Sequence, residues 1–372
     1  MRRRPGEVRD AIVQVLEGRL TAASVQQITS EVAALIGDVP PSSVRSYLRL
    51  NTPELFARMD RAQYALAGFE ADELPRATND VRKQFTHGRA TIVMDDCNIW
   101  LDAQPANSIH AVVTDPPYGL IEYSEAELDK LREGRGGVWR IPPSFDGSTR
   151  SPLPRFTVLK PRDLEALDQF FMAWGRRLLR VLVPGANVVV ASNPLLSHIV
   201  SGALSRVGLE RRGELARLTM TMRGGDRPKA AHIEFNDVSV MPRSMWEPWL
   251  LFRKPIEGRV QDNLRKWGTG GFRRISEDRP FGDVIESSPT RASERKLAMH
   301  PSLKPQAFLR KVVRGVLPLG RGLVLDPFAG SASTLAAAEA ISYRSVGVER
   351  DATYFDLGCQ ALPRLAALKV DF

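Results

Sequence analysis

Four consecutive residues, Asp115, Pro116, Pro117 and Tyr118, combine groups that could bind a planar amine. They follow the apolar run from Ile109 to Val113, which predicts a buried strand. Proline has no N–H and a fixed φ, so the turn is stiff and its carbonyl oxygens stay available as acceptors. A ring that bears an exocyclic amine could stack on the tyrosine and donate to the Asp115 carboxylate and the Pro116 carbonyl. These four residues are therefore the candidate catalytic group.

A second constellation, between residues 323 and 349, has the pattern of half a nucleotide-binding fold. A short apolar strand leads into a glycine turn, and Ala332 to Ala340 predicts a helix that Ser331 or Ser333 could cap. The glycine lets the backbone approach a ligand, and the helix N-terminus offers free N–H groups. An acid about 20 residues further on can bind ribose hydroxyls. The candidate cofactor contacts of this segment are Asp326, Pro327, Phe328, Ala329, Gly330, Ser331 and Glu349.

The elements that must position these residues alternate between strands and helices from Thr91 onward. Such alternation indicates an α/β domain built on a parallel sheet. Ligands bind such sheets at the carboxyl ends of the strands, so we expect both constellations at one edge. The expected organisation is a helical domain at 1–80, a linker at 81–90 and the α/β domain at 91–372.

Residues 1–80 are expected to be mainly helical. Prolines and serines at 40–43 mark a helix start, and two helices, a short turn and a third helix resemble a helix-turn-helix. Arg45 and Arg49 lie one turn apart on the outer side of that third helix, which predicts DNA contact. A packing or dimerisation domain is the alternative reading. Residues 52–70 suit either a further helix or a small wing.

Two polar segments of the α/β domain carry an excess of basic residues. The insertion at 120–165 directly follows the catalytic turn and includes Arg135 and Arg140, with aromatic side chains between the basic ones. Arg223 and Arg227 lie in the link between two predicted antiparallel strands. We expect both segments to contact phosphates, and the aromatic residues of the insertion could stack on bases.

The two constellations resemble the motifs of the β-class amino DNA methyltransferases, whose cofactor is S-adenosylmethionine. The likeness extends to His300–Pro305, which is similar to the family's His-Pro-Thr-x-Lys-Pro segment, and to the pair Asp96 and Cys97. Four motifs in the family's relative order cover most of residues 91–350. Ala332 stands where the family pattern has its second glycine, which should tighten the turn slightly. Residues 1–88 and the 120–165 insertion are not covered by the resemblance.

The resemblance implies a fold and further site residues. The fold is a Rossmann-like class I methyltransferase sheet, circularly permuted because the catalytic motif precedes the cofactor half at 299–350. Ser302 and Lys304 would meet the methionine carboxylate of S-adenosylmethionine, and Asp96 and Cys97 would lie at its adenine end. The segment 255–298 would carry target recognition, with Lys266 and Arg273 as DNA contacts.

Three functions fit this pattern, and the first is methylation of adenine N6 in double-stranded DNA. An aspartate rather than a serine at the first motif position favours adenine over the second function, methylation of cytosine N4. The third is a DNA-binding regulator with a vestigial methyltransferase domain, which the intact Asp115, Tyr118, Gly330 and Glu349 argue against. The recognition sequence, a homodimer and a cognate restriction or defence-system partner all stay open.

Composition excludes several other classes. The net charge of +9 fits a polyanionic partner. Two cysteines far apart in sequence argue against a disulfide framework and fit a reducing cytoplasm. Histidine is scarce and Cys-x-x-Cys is absent, so no metal site is indicated. No apolar run approaches the roughly 18 residues of a membrane span.

Overall fold

The structure is a computed structural model, and it divides into two compact units, Met1–Asp80 and Val81–Phe372. The residues that it describes are 4, 6–16, 23–60, 63–66, 83–117, 159–223, 228, 231, 233–240, 242, 244–298 and 303–371. No helix among these is long and apolar enough to cross a membrane.

The first unit packs three helices against a small sheet. Its helices are α1 (Glu7–Leu16), α2 (Val25–Ile36) and α3 (Pro41–Leu50). Its strands are β1 (Ala23–Ser24), β2 (Phe56–Asp60) and β3 (Gln63–Leu66), in the order β1-β3-β2.

Apolar residues at helical spacing build the core of this unit. Ile12, Ile28, Val44 and Leu48 are fully buried together with Phe56 of β2. A capping box at Ser24 starts α2. Phe56–Asp60 and Gln63–Leu66 pair as the antiparallel strands β2 and β3 of a small wing, so these residues do not form the further helix considered for 52–70.

The second unit is organised on a nine-stranded sheet in the order β10-β8-β9-β7-β6-β11-β12-β5-β4. The five central strands β7, β6, β11, β12 and β5 are mutually parallel, whereas β9 and β4 run antiparallel to their neighbours β7 and β5. The strands are β4 (Gln84–His87), β5 (Ala90–Met94), β6 (Ile109–Thr114), β7 (Leu182–Ala191), β8 (Glu210–Arg223), β9 (Ser244–Arg253), β10 (Val284–Glu286), β11 (Leu323–Asp326) and β12 (Arg344–Glu349).

Helices cover both faces of this sheet, which is why its central strands are continuous apolar runs. Successive residues of β7 alternate between two cores: Val188 and Val190 pack with Trp174 and Leu178, while Val189 packs on the other side. The helices are α4 (Cys97–Asp102), α5 (Pro161–Val181), α6 (Ser197–Arg206), α7 (Val260–Trp267), α8 (Ala292–Leu297), α9 (Gln306–Val316), α10 (Ser333–Ala340) and α11 (Ala352–Ala366). The mixed α/β architecture expected from the alternation is confirmed.

Two local expectations were wrong, and one local preference is overridden. Much of the expected linker is strand, since 84–87 form β4 and β5 begins at Ala90. Pro184 and Gly185, a pair that favours a turn, lie inside β7, where the register with β6 shifts. Neither Ser331 nor Ser333 caps α10, because the residue at its N-cap is Ala332.

Gly185 should be one of the least replaceable residues of the sheet. Its φ is +79°, and an added Cβ would lie 2.4 Å from Asn263 Nδ2 and 2.9 Å from Gly270 N. Gly185→Ala should therefore lower the free energy of unfolding by a strain of about 1–2 kcal/mol for the left-handed backbone plus about 1–3 kcal/mol for overpacking. Urea unfolding measures the loss.

Gly268→Ala is the matched control for this substitution. Its φ of +73° imposes a similar backbone strain, but the nearest atom to its added Cβ is Leu319 Cδ1 at 3.9 Å. Gly268→Ala should lower the free energy of unfolding only by the strain of the left-handed backbone, without the cost of overpacking. Equal losses in the two variants would show that the close approach of Asn263 and Gly270 does not constrain Gly185.

Candidate active site at the carboxyl edge of the sheet

The catalytic motif and the glycine turn become neighbours because β6 pairs with β11. Ala111 pairs with Val324 and Val112 pairs with Leu325, both in parallel register. Parallel strands end at the same edge, so Asp115 and the turn after Asp326 emerge side by side. The ends of β12 and β5 bring Glu349 and the segment 95–97 to the same edge.

Asp326 ties the two motifs together inside the sheet. Its Oδ1 accepts a hydrogen bond from the Thr114 hydroxyl at 2.7 Å and another from Phe328 N–H at 3.2 Å. Burial raises the pKa of Asp326 to about 6, although hydrogen bonds from Thr114, Thr334 and Phe328 oppose the rise. Thr114, the residue before Asp115, is thereby fixed to the first residue of the glycine turn at 326–331, which is called the cofactor turn below.

The cofactor turn is oriented by Glu349. Its Oε2 accepts the Gly330 N–H at 2.8 Å, and its Oε1 accepts the Asp351 N–H at 2.8 Å. Burial raises the pKa of Glu349, and these two backbone donors oppose the rise. Ala332 adopts φ +60°, a left-handed conformation that a glycine adopts without strain, which accounts for the glycine of the family pattern at this position.

Asp96 and Cys97 begin α4 at the end of β5. The Asp96 carboxylate accepts the N–H groups of Asn98 and Ile99, so it serves as the N-cap of that helix. Burial, followed by the nearby Asp96, raises the pKa of the Cys97 thiol to about 12. The thiol is therefore neutral and is not a nucleophile.

Lys304 forms an ion pair with Asp115, the candidate catalytic carboxylate. Its Nζ donates to Asp115 Oδ2 at 2.5 Å and lies 3.3 Å from Glu247 Oε1. The side chain that the resemblance places at the methionine carboxylate of the cofactor therefore pairs with Asp115, the candidate catalytic residue. The sequence analysis did not identify Glu247 or its partner Arg217. The pattern that could have indicated them is one charged residue at an inward-facing position in each of the paired strands β8 and β9.

The residues at this edge fit a polar nucleoside ligand. Among the residues that the structure describes, the buried atoms Ser331 Oγ, Gln306 Oε1 and Asn98 Oδ1 have no hydrogen-bond partner. They belong to the cofactor turn, the start of α9 and the start of α4. Buried polar atoms are normally satisfied, so these three fit a ligand whose polar groups would complete their hydrogen bonds.

Several predicted contacts lie outside the described residues. They are Tyr118, Ser302, Arg135, Arg140 and Arg227. Arg223 ends β8, but its side chain is not described. Pro116 and Pro117 line a small apolar pocket with Phe171 and Leu196.

Lys266 and Arg273 are not brought to the catalytic edge. Lys266 pairs with Glu257 on the segment around α7, which packs against Pro184 near the start of β7. Arg273 Nη1 donates to Tyr343 Oη at 2.6 Å, next to the start of β12. Both lie at the amino ends of the parallel strands, opposite Asp115. Arg45 and Arg49 are exposed on α3 of the first unit.

The structure thus brings the glycine turn after β11, the acid at the end of β12 and the candidate catalytic motif after β6 to one edge of the sheet. This arrangement is the one expected of an S-adenosylmethionine-dependent methyltransferase. The model of a DNA methylase family matches residues 109–360, and the chain belongs to that family of N6/N4 enzymes. The protein is therefore an S-adenosylmethionine-dependent DNA methyltransferase.

Two characterised proteins and one solved structure are similar to the chain. The type II methyltransferase M.HindIII of Haemophilus influenzae is 24% identical over 281 residues, which are 69% of this chain and 90% of that protein. The DNA adenine methyltransferase YhdJ of Escherichia coli is 38% identical over 133 residues, 32% of this chain and 45% of that protein. The solved PvuII DNA methyltransferase, which is cytosine-N4-specific, has a TM-score of 0.47 at 14% identity and covers 77% of this chain and 89% of its own.

Asp326 should make the stability of the protein depend on pH. Because its pKa is raised from 3.8 to about 6, the stability that it contributes is present below the unfolded pKa and lost as the pH rises through 6. A shift of two units corresponds to about 3 kcal/mol. Asp326→Asn cannot ionise, so it should gain up to about 3 kcal/mol relative to the native protein between about pH 4 and pH 7.

Urea unfolding at both pH values measures this difference. Asp283→Asn, at an exposed position, controls for the exchange of an acid for an amide. Identical pH dependence of the native protein and Asp326→Asn would contradict the raised pKa.

Proposed function

We propose that the protein transfers a methyl group from S-adenosylmethionine to N6 of adenine in duplex DNA. The observation that carries the proposal is the position of Asp115. It directly follows Thr114, whose hydroxyl donates to Asp326 at the start of the cofactor turn. An aspartate at the first position of the motif favours adenine. The match with YhdJ, a DNA adenine methyltransferase, supports the same choice over its 133 residues.

The chain's own residues orient the amine. The lone pair of an exocyclic amine is delocalised into the ring, so hydrogen bonds accepted by Asp115 and the Pro116 carbonyl would favour a nucleophilic geometry. The amine lies within a base pair, so the base must leave the stack before it can bind. We assign stacking on the flipped base to Tyr118. Fixed groups of this kind lower the barrier by orientation and preorganised dipoles.

The cofactor would lie along the ends of β11, β12 and β5. When bound, S-adenosylmethionine supplies an electrophilic methyl group on a sulfonium. The Gly330 turn would let the backbone approach it, and Glu349 would accept hydrogen bonds from its ribose hydroxyls. Asn98 and Ser331 would satisfy further polar groups of the nucleoside and its chain.

Methylation of cytosine N4 is the second candidate on this scaffold, because the same acceptors can bind that amine. The experiment that separates the two is mass spectrometry of nucleosides from DNA incubated with the protein and S-adenosylmethionine. We expect N6-methyldeoxyadenosine, whereas N4-methyldeoxycytidine alone would assign the second function. Neither product, with the cofactor bound, would favour the vestigial regulator.

Asp115→Ala should remove transfer while cofactor binding stays near the native level, because the carboxylate acts on the base amine. Loss of the orienting hydrogen bonds should lower the rate on the order of 10²-fold or more. Incorporation of labelled methyl into DNA measures the rate, and calorimetric titration measures cofactor affinity. Transfer near the native rate would rule out this role of Asp115.

We further propose that the first unit binds DNA through α3 and raises affinity without taking part in methyl transfer. One side of α3 is exposed, opposite the side that buries Val44. At helical spacing this exposed side carries Ser42, Arg45, Ser46 and Arg49. Arginine and serine at such positions can bind phosphates or base edges. The hairpin of β2 and β3 follows this helix in the chain.

Replacing Arg45 and Arg49 by alanine should weaken DNA binding and make its salt dependence shallower, by about 0.9 in slope for each phosphate that the protein no longer neutralises. Binding to one duplex across a salt series measures both effects. Arg9→Ala is the control, since it removes an exposed charge from α1 of the same unit. Unchanged affinity and slope in the double variant would leave packing or dimerisation as the role of the unit.

A further inference from the structure

A chain of four alternating charges runs from the catalytic carboxylate into the sheet. Lys304 Nζ donates to Asp115 Oδ2 at 2.5 Å and lies 3.3 Å from Glu247 Oε1. Arg217 Nη1 donates to Glu247 Oε2 at 2.8 Å. Two carboxylates and two cations therefore alternate, and the set is neutral as a whole.

Glu247 is held rigidly in the middle of this chain. Its Oε2 accepts hydrogen bonds from Arg217 and, at 3.2 Å, from Trp249 Nε1, which leaves Oε1 directed at Lys304. Glu247 and Arg217 are also cross-strand partners in β9 and β8. The geometry of Glu247 is thus set by the sheet rather than by Lys304.

Arg217 is anchored in its turn. Its Nε donates to the Ser287 hydroxyl at 3.0 Å, and its guanidinium stacks 5.0 Å from the centre of the Phe308 ring. The Arg217 side chain is 7% exposed and that of Lys304 is 11% exposed, so neither cation is well hydrated. Charges buried to this degree are stable only when paired.

The titration behaviour of the chain agrees with the geometry. Burial alone would raise the pKa of Glu247, but Lys304 and Arg217 lower it to about 2. Burial alone would lower the pKa of Lys304, but Asp115 and Glu247 raise it above its ordinary value, against an opposing effect of Arg217. Lys304 is therefore an ammonium, and Glu247 is one of the two groups that keep it so.

We propose that Glu247 is a positioning residue for methyl transfer, which holds the Lys304 ammonium against Asp115 and thereby fixes the orientation of the catalytic carboxylate. The proposal rests on the role of Asp115 in the proposed function, but it does not depend on which base is methylated.

The consequence of losing the Glu247 charge follows from the charge count. Of the four charges in this chain, the two cations Arg217 and Lys304 and one carboxylate, Asp115, would remain. Lys304 would lose a neighbour that raises its pKa and would keep Arg217, which lowers it. Its proton would leave at a lower pH, and the Asp115 carboxylate would lose its fixed partner.

The test is Glu247→Gln, which keeps the size of the side chain and an acceptor for Trp249. Methyl incorporation into DNA, counted for all bases together, should fall on the order of 10- to 100-fold in kcat, with the KM values for cofactor and DNA little changed. The alkaline limb of the kcat profile, which Lys304 places above the ordinary lysine pKa in the native protein, should move to lower pH in the variant. Glu247→Asp should restore part of both.

Glu210→Gln is the matched control. Glu210 accepts two hydrogen bonds from Arg253 at the other end of the same strand pair, far from Lys304 in the sheet. This variant should lose stability and keep the native pH profile. A native profile in Glu247→Gln, or an equal shift in Glu210→Gln, would overturn the proposal.

A second measurement separates this inference from the proposed function. Selective labelling of lysine side chains allows NMR titration of the Lys304 ammonium in the native protein and in Glu247→Gln, with Lys304→Met to assign the signal. A lower Lys304 pKa in Glu247→Gln supports the inference, and an unchanged pKa overturns it, whether or not the native protein methylates DNA. Failure of the native protein to methylate DNA would count against the proposed function alone.

Discussion

The parallel pairing of β6 with β11 is the constraint on which the site depends. It joins residues 212 positions apart, as in the hydrogen bond from Thr114 to Asp326. Closing so long a loop costs little more than closing a shorter one, because the entropy grows only with the logarithm of length. Burial on both faces stabilises the pair: Val112 packs in one core, whereas Ala111 and Val113 pack in the other.

The sequence was sufficient for the parts of the fold that local patterns encode. A buried parallel strand is an apolar run, so β6 and β11 were recognisable. The turns that follow them were recognisable because each carries a distinctive motif, Asp-Pro-Pro-Tyr after β6 and the glycine turn after β11. Local patterns failed where tertiary contacts decided the backbone. Pro184 and Gly185 are a turn by local preference, yet they continue β7 because Thr269 and Asn263 bind the Pro184 carbonyl.

The composition of the site was harder to predict than its location. Asp115, Asp326, Gly330 and Glu349 were identified because each ends or follows a strand. The partner of Lys304 was not identified, because Glu247 and Arg217 come from strands that no local pattern connects to residue 304. Lys266 was chosen because the resemblance implies target recognition in the segment 255–298, but the path of the chain through α7 carries it to the opposite edge of the sheet.

Two carboxylates stand at adjacent strand ends, and the structure treats them differently. Asp115 accepts a hydrogen bond from the Lys304 ammonium, whereas Asp326 is buried and accepts hydrogen bonds from the neutral Thr114 hydroxyl and Phe328 N–H. Burial is the main cause of the raised pKa of Asp326, and the negative charge of Asp115 adds to it. Like charges this close disfavour joint ionisation, so placing the cation on one of them separates their roles. Under the proposed function, Asp115 would be the acceptor for the substrate amine, whereas Asp326 is the structural link that fixes the position of Asp115 through Thr114.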